Sequence, residues 1–237
     1  MQEKLRNNII YQLAEILLVF VAAFLTISLL KPLAGEDPIY RQAVNWLANV
    51  VMLILVWLGL RLRGESWKDL GLGIGSISLK TILRGFLLSL LVFVIAIAAF
   101  VLGSIIMANI TGIPEQSDMS SYDYLKGNLG MLLLTLAGVY LVSSFGEEVI
   151  YRGFLINRIS GMGGDNRVAR IIAVIISSVV FGLVHYEWGA MGMVQTGFMG
   201  LALGICYLRL NKRLWILVLA HAYMDTILMM QLYLAGN

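Results

Sequence analysis

Three short clusters place ionisable side chains among apolar residues. They are Phe145-Gly-Glu147-Glu148-Val-Ile-Tyr-Arg152, Phe181-Gly-Leu-Val-His185 and His221-Ala-Tyr-Met-Asp225. A charge at a bilayer centre costs at least about 2.5–3.5 kcal/mol, so each such residue calls for a physical reason. Glu148 and Arg152 stand four apart, share a helix face and can pair, which would orient their helix. Glu147 is turned about 100° from Glu148 on an α-helix and is not matched by that arginine in the same way. His185, taken alone, fits a packing or interfacial role as well as a chemical one. His221 and Asp225 face the same way and can share a ligand, a proton or a water. The chain has only 2 histidines, and both fall inside apolar runs.

If the clusters meet, a carboxylate and a neutral imidazole can hold and deprotonate a water within a dry pocket. The second imidazole can then donate to the oxyanion of a tetrahedral intermediate. That is equipment for hydrolysing an amide. The sequence has no serine-centred elbow and no HExxH, and Cys206, its 1 cysteine, lies in an apolar run. Covalent nucleophilic catalysis, a disulfide framework and a thiolate metal cluster are therefore disfavoured. Counted from the basic ends of their helices at about 1.5 Å per residue, Glu147 lies roughly 17 Å deep, His185 roughly 25 Å and His221 roughly 10–15 Å. The three agree only if tilts, kinks or displaced helix ends bring them level.

The elements that must position these groups are membrane helices. The chain has 237 residues, 59% of them hydrophobic and 13% charged, too little polar surface to cover itself in water. The apolar runs are long and do not alternate, so they read as helices rather than barrel strands. Seven spans are predicted, near 9–30, 43–61, 83–109, 129–158, 168–187, 190–209 and 214–233, in one membrane domain covering 1–237. The first apolar run, after Lys4 and Arg6, is too long for a signal peptide and reads as a retained span.

Basic residues before the first span and in the loops holding Arg61 to Arg84, Arg158 to Arg170 and Arg209 to Arg213 mark the cytoplasmic side. The 110–128 loop is acidic, with Glu115, Asp118 and Asp123 against Lys126. The N-terminus is thus placed inside and the C-terminus outside. Glu65 to Lys80, with its run Gly71 to Ser76, is too polar to cross and is placed at the cytoplasmic surface. Gly161, Gly163 and Gly164 mark a tight turn, and Gly200 and Gly204 form a small-xxx-small pair suited to close helix approach. Glu15 lies just inside the first span, where it is expected to snorkel, and Glu187 is expected at the outer surface.

The motifs resemble the signature of the CPBP family, the CAAX-protease and bacteriocin-processing membrane proteins, whose patterns are EExxxR, FxxxH and HxxxN/D on separate helices. The likeness covers about 129–230, the catalytic-motif core. It implies that Glu147 activates water together with His185, that Glu148 and Arg152 support that geometry, and that His221 and Asp225 stabilise the oxyanion or bind a metal. Prenyl-protein proteases of the family carry asparagine where this chain has Asp225. Aspartate is the better metal ligand, so a divalent metal such as zinc, on candidates Glu147, His185, His221 and Asp225, stays open.

The function expected is an intramembrane endopeptidase acting on a peptide or membrane-associated protein. It would reside in the lipid bilayer as a multi-pass cell-membrane protein of prokaryotic type, with no nucleic-acid partner. The alternative is a non-catalytic scaffold that binds a membrane partner protein. A proton-coupled transporter is a third reading, weakened by the absence of matched repeats.

Overall fold

The computed structural model describes residues 2–73, 75, 78–112 and 119–235. The expected run up to Ser76 therefore lies partly outside the described residues, and the loop charges Glu115 and Asp118 lie wholly outside them. Caps set the helix starts. Asn8 accepts from the Ile10 amide before α2 (Ile9–Leu30), which follows the short α1 (Gln2–Asn7). Asp37 accepts from Ile39 and Tyr40 before α3 (Pro38–Arg63), with proline at the first helical position, where its missing N–H costs nothing. Ser78 caps α4 (Leu79–Thr111) and Asn128 caps α5 (Leu129–Val139). The chain of α5 runs on without a break into a wide helix of π type, Tyr140–Ile156, and then into α6 (Asn157–Met162). Asn166 caps α7 (Arg167–Leu183), and α8 (Gly189–Arg209) and α9 (Leu214–Leu234) complete the order.

The protein is a multi-pass, all-helical membrane bundle, with one correction to the expected spans. Among the described residues six helices are long and apolar enough to cross a membrane: Ile9–Ala34, Pro38–Arg63, Leu79–Thr111, Leu129–Met162, Tyr186–Arg209 and Leu214–Leu234. The expected 168–187 span is absent from that set. Its helix α7 has 17 residues, about 25 Å at 1.5 Å per residue against a hydrocarbon thickness of about 30 Å. It stops because Val184 and His185 turn out of the helix, the His185 amide donating to Gly182 O at 3.1 Å, and Gly189 follows at φ +70°. Nevertheless α7 joins the same two ends of the bundle as its neighbours. Asp165, just before it, pairs with Arg170 and Lys212, and Glu187, just after it, pairs with Lys31 at the far end of α2.

The basic loops gather at one end, as the charge pattern requires. Arg6 donates to Arg63 O (2.7 Å), and Arg158 pairs with Glu15 (3.0 Å) and Glu65 (2.7 Å). Glu15 does not snorkel. It turns inward to Arg63 (2.6 Å) and Arg158, tying α2 to α3 and α6 through charges that lipid would not solvate.

The segment after α3 is not confined to the surface. Leu70 and Leu72 are buried, Tyr207 donates its hydroxyl to Leu70 O (3.0 Å), and the Trp215 indole donates to Leu72 O (3.1 Å). The Leu214 amide donates to Gly71 O (3.1 Å), so this segment closes over the start of α9. Gly71 sits at φ +94°, and a Cβ there would stand 1.7 Å from Lys212 O. Gly71→Ala is expected to destabilise the protein by at least the roughly 1–3 kcal/mol of a strained left-handed residue, read as a lower melting temperature in detergent. An unchanged melt would show that this contact does not hold α9 in place.

Candidate active site

The packing of α9 against the wide helix brings its chemistry level with the glutamate pair. His221 Nδ1 lies 2.9 Å from Glu148 Oε1, and His221 Nε2 lies 3.9 Å from both Glu147 Oε2 and Asp225 Oδ1. Arg152 Nη1 approaches Glu148 Oε1 at 3.0 Å, as the four-residue spacing predicts. Glu148 and Arg152 are almost wholly buried, at 0% and 1% exposure, whereas Glu147 and Asp225 keep an open side.

Both neighbouring glutamates reach one imidazole, which the α-helical expectation for Glu147 did not provide. The wide helix explains it. Hydrogen bonds that span five residues turn each residue less about the axis than the 100° of an α-helix, so adjacent side chains diverge less. The same geometry recurs one turn earlier. Ser144 Oγ donates to Asp225 Oδ2 at 2.6 Å, and Ser143 lies beside the same carboxylate. Two adjacent pairs four residues apart, Ser143/Ser144 and Glu147/Glu148, therefore face Asp225 and His221, themselves four apart on α9. The serines were missed in the sequence, where a hydroxyl inside an apolar helix looks like a residue bonded to its own backbone.

His185 is placed differently. Its Nδ1 lies 2.7 Å from Phe181 O. A carbonyl only accepts, so Nδ1 carries the proton and Nε2 is left as an acceptor. The ring stacks between Phe181 and Trp188, with centroids 4.9 Å away on each side. Among the described residues no hydrogen bond or ion pair links His185 to Glu147, His221 or Asp225. Its connection runs through Phe181, whose face carries the Arg152 guanidinium 4.3 Å from the ring centroid. Gly200 on α8 leaves room for this stack, since a Cβ there would lie 3.0 Å from the Phe181 ring.

Tyr122, in the 3-10 turn Ser120–Leu125 before α5, packs with Val139 and Met229, one turn beyond Asp225. Burial first, then Tyr124 and the carboxylates Asp225, Glu187 and Glu147, push its hydroxyl up to about 12, so it remains a proton donor beside the cluster.

The metal expectation meets a geometric obstacle. Among the described residues no three His, Cys, Asp or Glu side chains are disposed to hold a metal ion. Among the described residues His185 makes no hydrogen bond or ion pair with the others, and Glu147 and Asp225 each approach His221 Nε2 at 3.9 Å. The arrangement as folded does not fit a zinc centre.

A family model described as type II CAAX prenyl endopeptidase Rce1-like matches residues 129–227. This part of the chain is similar to that family. The Rce1-like stretch begins at α5 and closes just past Asp225, so all three sequence clusters fall within it. The matched family is described as an endopeptidase of CAAX type. No curated protein and no solved structure matches the chain.

Proposed function

We propose that the protein is an intramembrane endopeptidase that cuts a peptide or membrane-associated protein with a water activated by Glu147. The observation that carries this reading is the meeting of Glu147, Glu148, His221 and Asp225, from helices far apart in sequence, within a buried layer. A carboxylate with an open side next to an imidazole, shielded from lipid, can take a proton from water. The hydroxide then adds to the scissile carbonyl carbon, and the carbonyl π electrons move onto oxygen. His221, its Nδ1 turned to Glu148, presents Nε2 to the same space and, when protonated, donates to that oxyanion. Collapse of the intermediate breaks the C–N bond, and the proton held by Glu147 passes to the leaving nitrogen. His185, with Nε2 free to accept, orients the water from the side of α7. Glu148 and Arg152 hold His221 in register.

The test is cleavage of a peptide library by the purified, reconstituted protein beside His185→Ala. Loss of cutting in the variant supports the reading. A wild-type protein that binds a membrane partner, as the variant does, and cuts nothing would instead make the chain a scaffold. On this metal-free reading, cleavage is expected to survive incubation with EDTA or 1,10-phenanthroline within about twofold. Activity lost to chelation and restored by zinc would refute the metal-free mechanism.

A further inference from the structure

Many helical hydroxyls in this protein bond to their own backbone. Thr26, Ser104, Thr111, Ser178, Thr196 and Thr226 each donate to the carbonyl four residues back. That is the default for serine and threonine in an apolar helix, where no water competes. Ser144 departs from it. Its buried hydroxyl crosses to α9 and donates to Asp225 Oδ2 at 2.6 Å, the length of a bond between a hydroxyl and an ionised acceptor.

From this bond we infer that Ser144 is a positioning residue that fixes the Asp225 carboxylate, leaving Oδ1 toward His221 and the open side of the site. The inference rests on the endopeptidase reading for its catalytic consequence, but the bond itself does not. A carboxylate on a single rotatable helix side chain can turn either oxygen, or neither, toward His221. With Oδ2 held by Ser144, Oδ1 stands 3.9 Å from His221 Nε2, a gap that a substrate oxygen or water can bridge. Ser143 lies beside the same group. The donor also dictates the chemistry of residue 225. Ser144 supplies a proton and needs an acceptor, which an aspartate offers on both oxygens and an asparagine on only one. The serine pair therefore suits the aspartate this chain carries.

The experiment is a double-mutant cycle on Ser144→Ala and Asp225→Ala, read by peptide cleavage and by thermal melting in detergent. Ser144→Ala removes one oxygen without filling space, so the fold is retained. A lost bond to a charged group lowers kcat by roughly 10–100-fold, and KM is expected to stay within about twofold. The doubly substituted protein is expected to cut no more slowly than Asp225→Ala alone. Wild-type kcat in Ser144→Ala, or losses that multiply in the double variant, would overturn the inference. If the wild type cuts nothing, the endopeptidase reading fails and the melts decide this one. Non-additive shifts in melting temperature sustain the Ser144–Asp225 link, and additive shifts remove it.

Discussion

Glu147→Gln is expected to lower kcat for peptide cleavage by about 10²–10⁴-fold, the usual worth of a positioned general base, while KM and the melting temperature stay close to wild type. The fold is expected to survive because, among the described residues, the Glu147 carboxylate makes no hydrogen bond. It approaches His221 Nε2 at 3.9 Å. An amide of the same shape fills the same space and removes only the ability to accept a proton from water. Loss of kcat at constant KM marks an interaction made in the transition state and not in the ground state. A Glu147→Gln protein that cuts within tenfold of wild type would remove Glu147 as the base and require another group to deprotonate the water.

The second large effect concerns stability. Arg152→Ala is expected to destabilise the fold by about 3–5 kcal/mol, the cost of breaking a buried ion pair from one side. Glu148 is fully buried, and its Oε2 has no hydrogen-bond partner in the structure. Without the guanidinium its charge is compensated only through His221. The substitution also empties the space over the Phe181 ring, so the stack that holds His185 loses its base. Removing both charges together, as Glu148→Gln with Arg152→Met, is expected to cost less than Arg152→Ala alone, because no unpaired charge is left in the bundle. Thermal melts of the purified variants measure both. Equal melting temperatures for Arg152→Ala and wild type would show that the pair is solvated after all.

Much of the fold could be read from the chain because lipid imposes simple rules. Runs such as Ile9–Leu30 and Leu79–Thr111 satisfy their backbone only as helices, and Arg61, Arg158, Arg170 and Lys212 sort the loops to one end. The Glu148–Arg152 and His221–Asp225 relations followed from four-residue spacing alone. What failed were inferences that needed helix ends. The fifth run was taken through His185, but the backbone leaves the helix at Val184, because apolar side chains do not reveal where a turn spends its hydrogen bonds. The start of α9 is set by Gly71 and Leu72 folding beneath it, a contact across more than 140 residues.

By itself, the sequence determined a multi-pass helical membrane protein and named the ionisable residues that lipid would not tolerate without partners. Composition and spacing are sufficient there, because burial cost depends on residue type and helix faces repeat locally. Only the tertiary structure decided that two adjacent glutamates share one histidine, that Ser144 belongs to Asp225 and that Glu15 turns inward. Each of these depends on the pitch of the wide helix or on the register between helices distant in the chain, and neither is encoded by local periodicity.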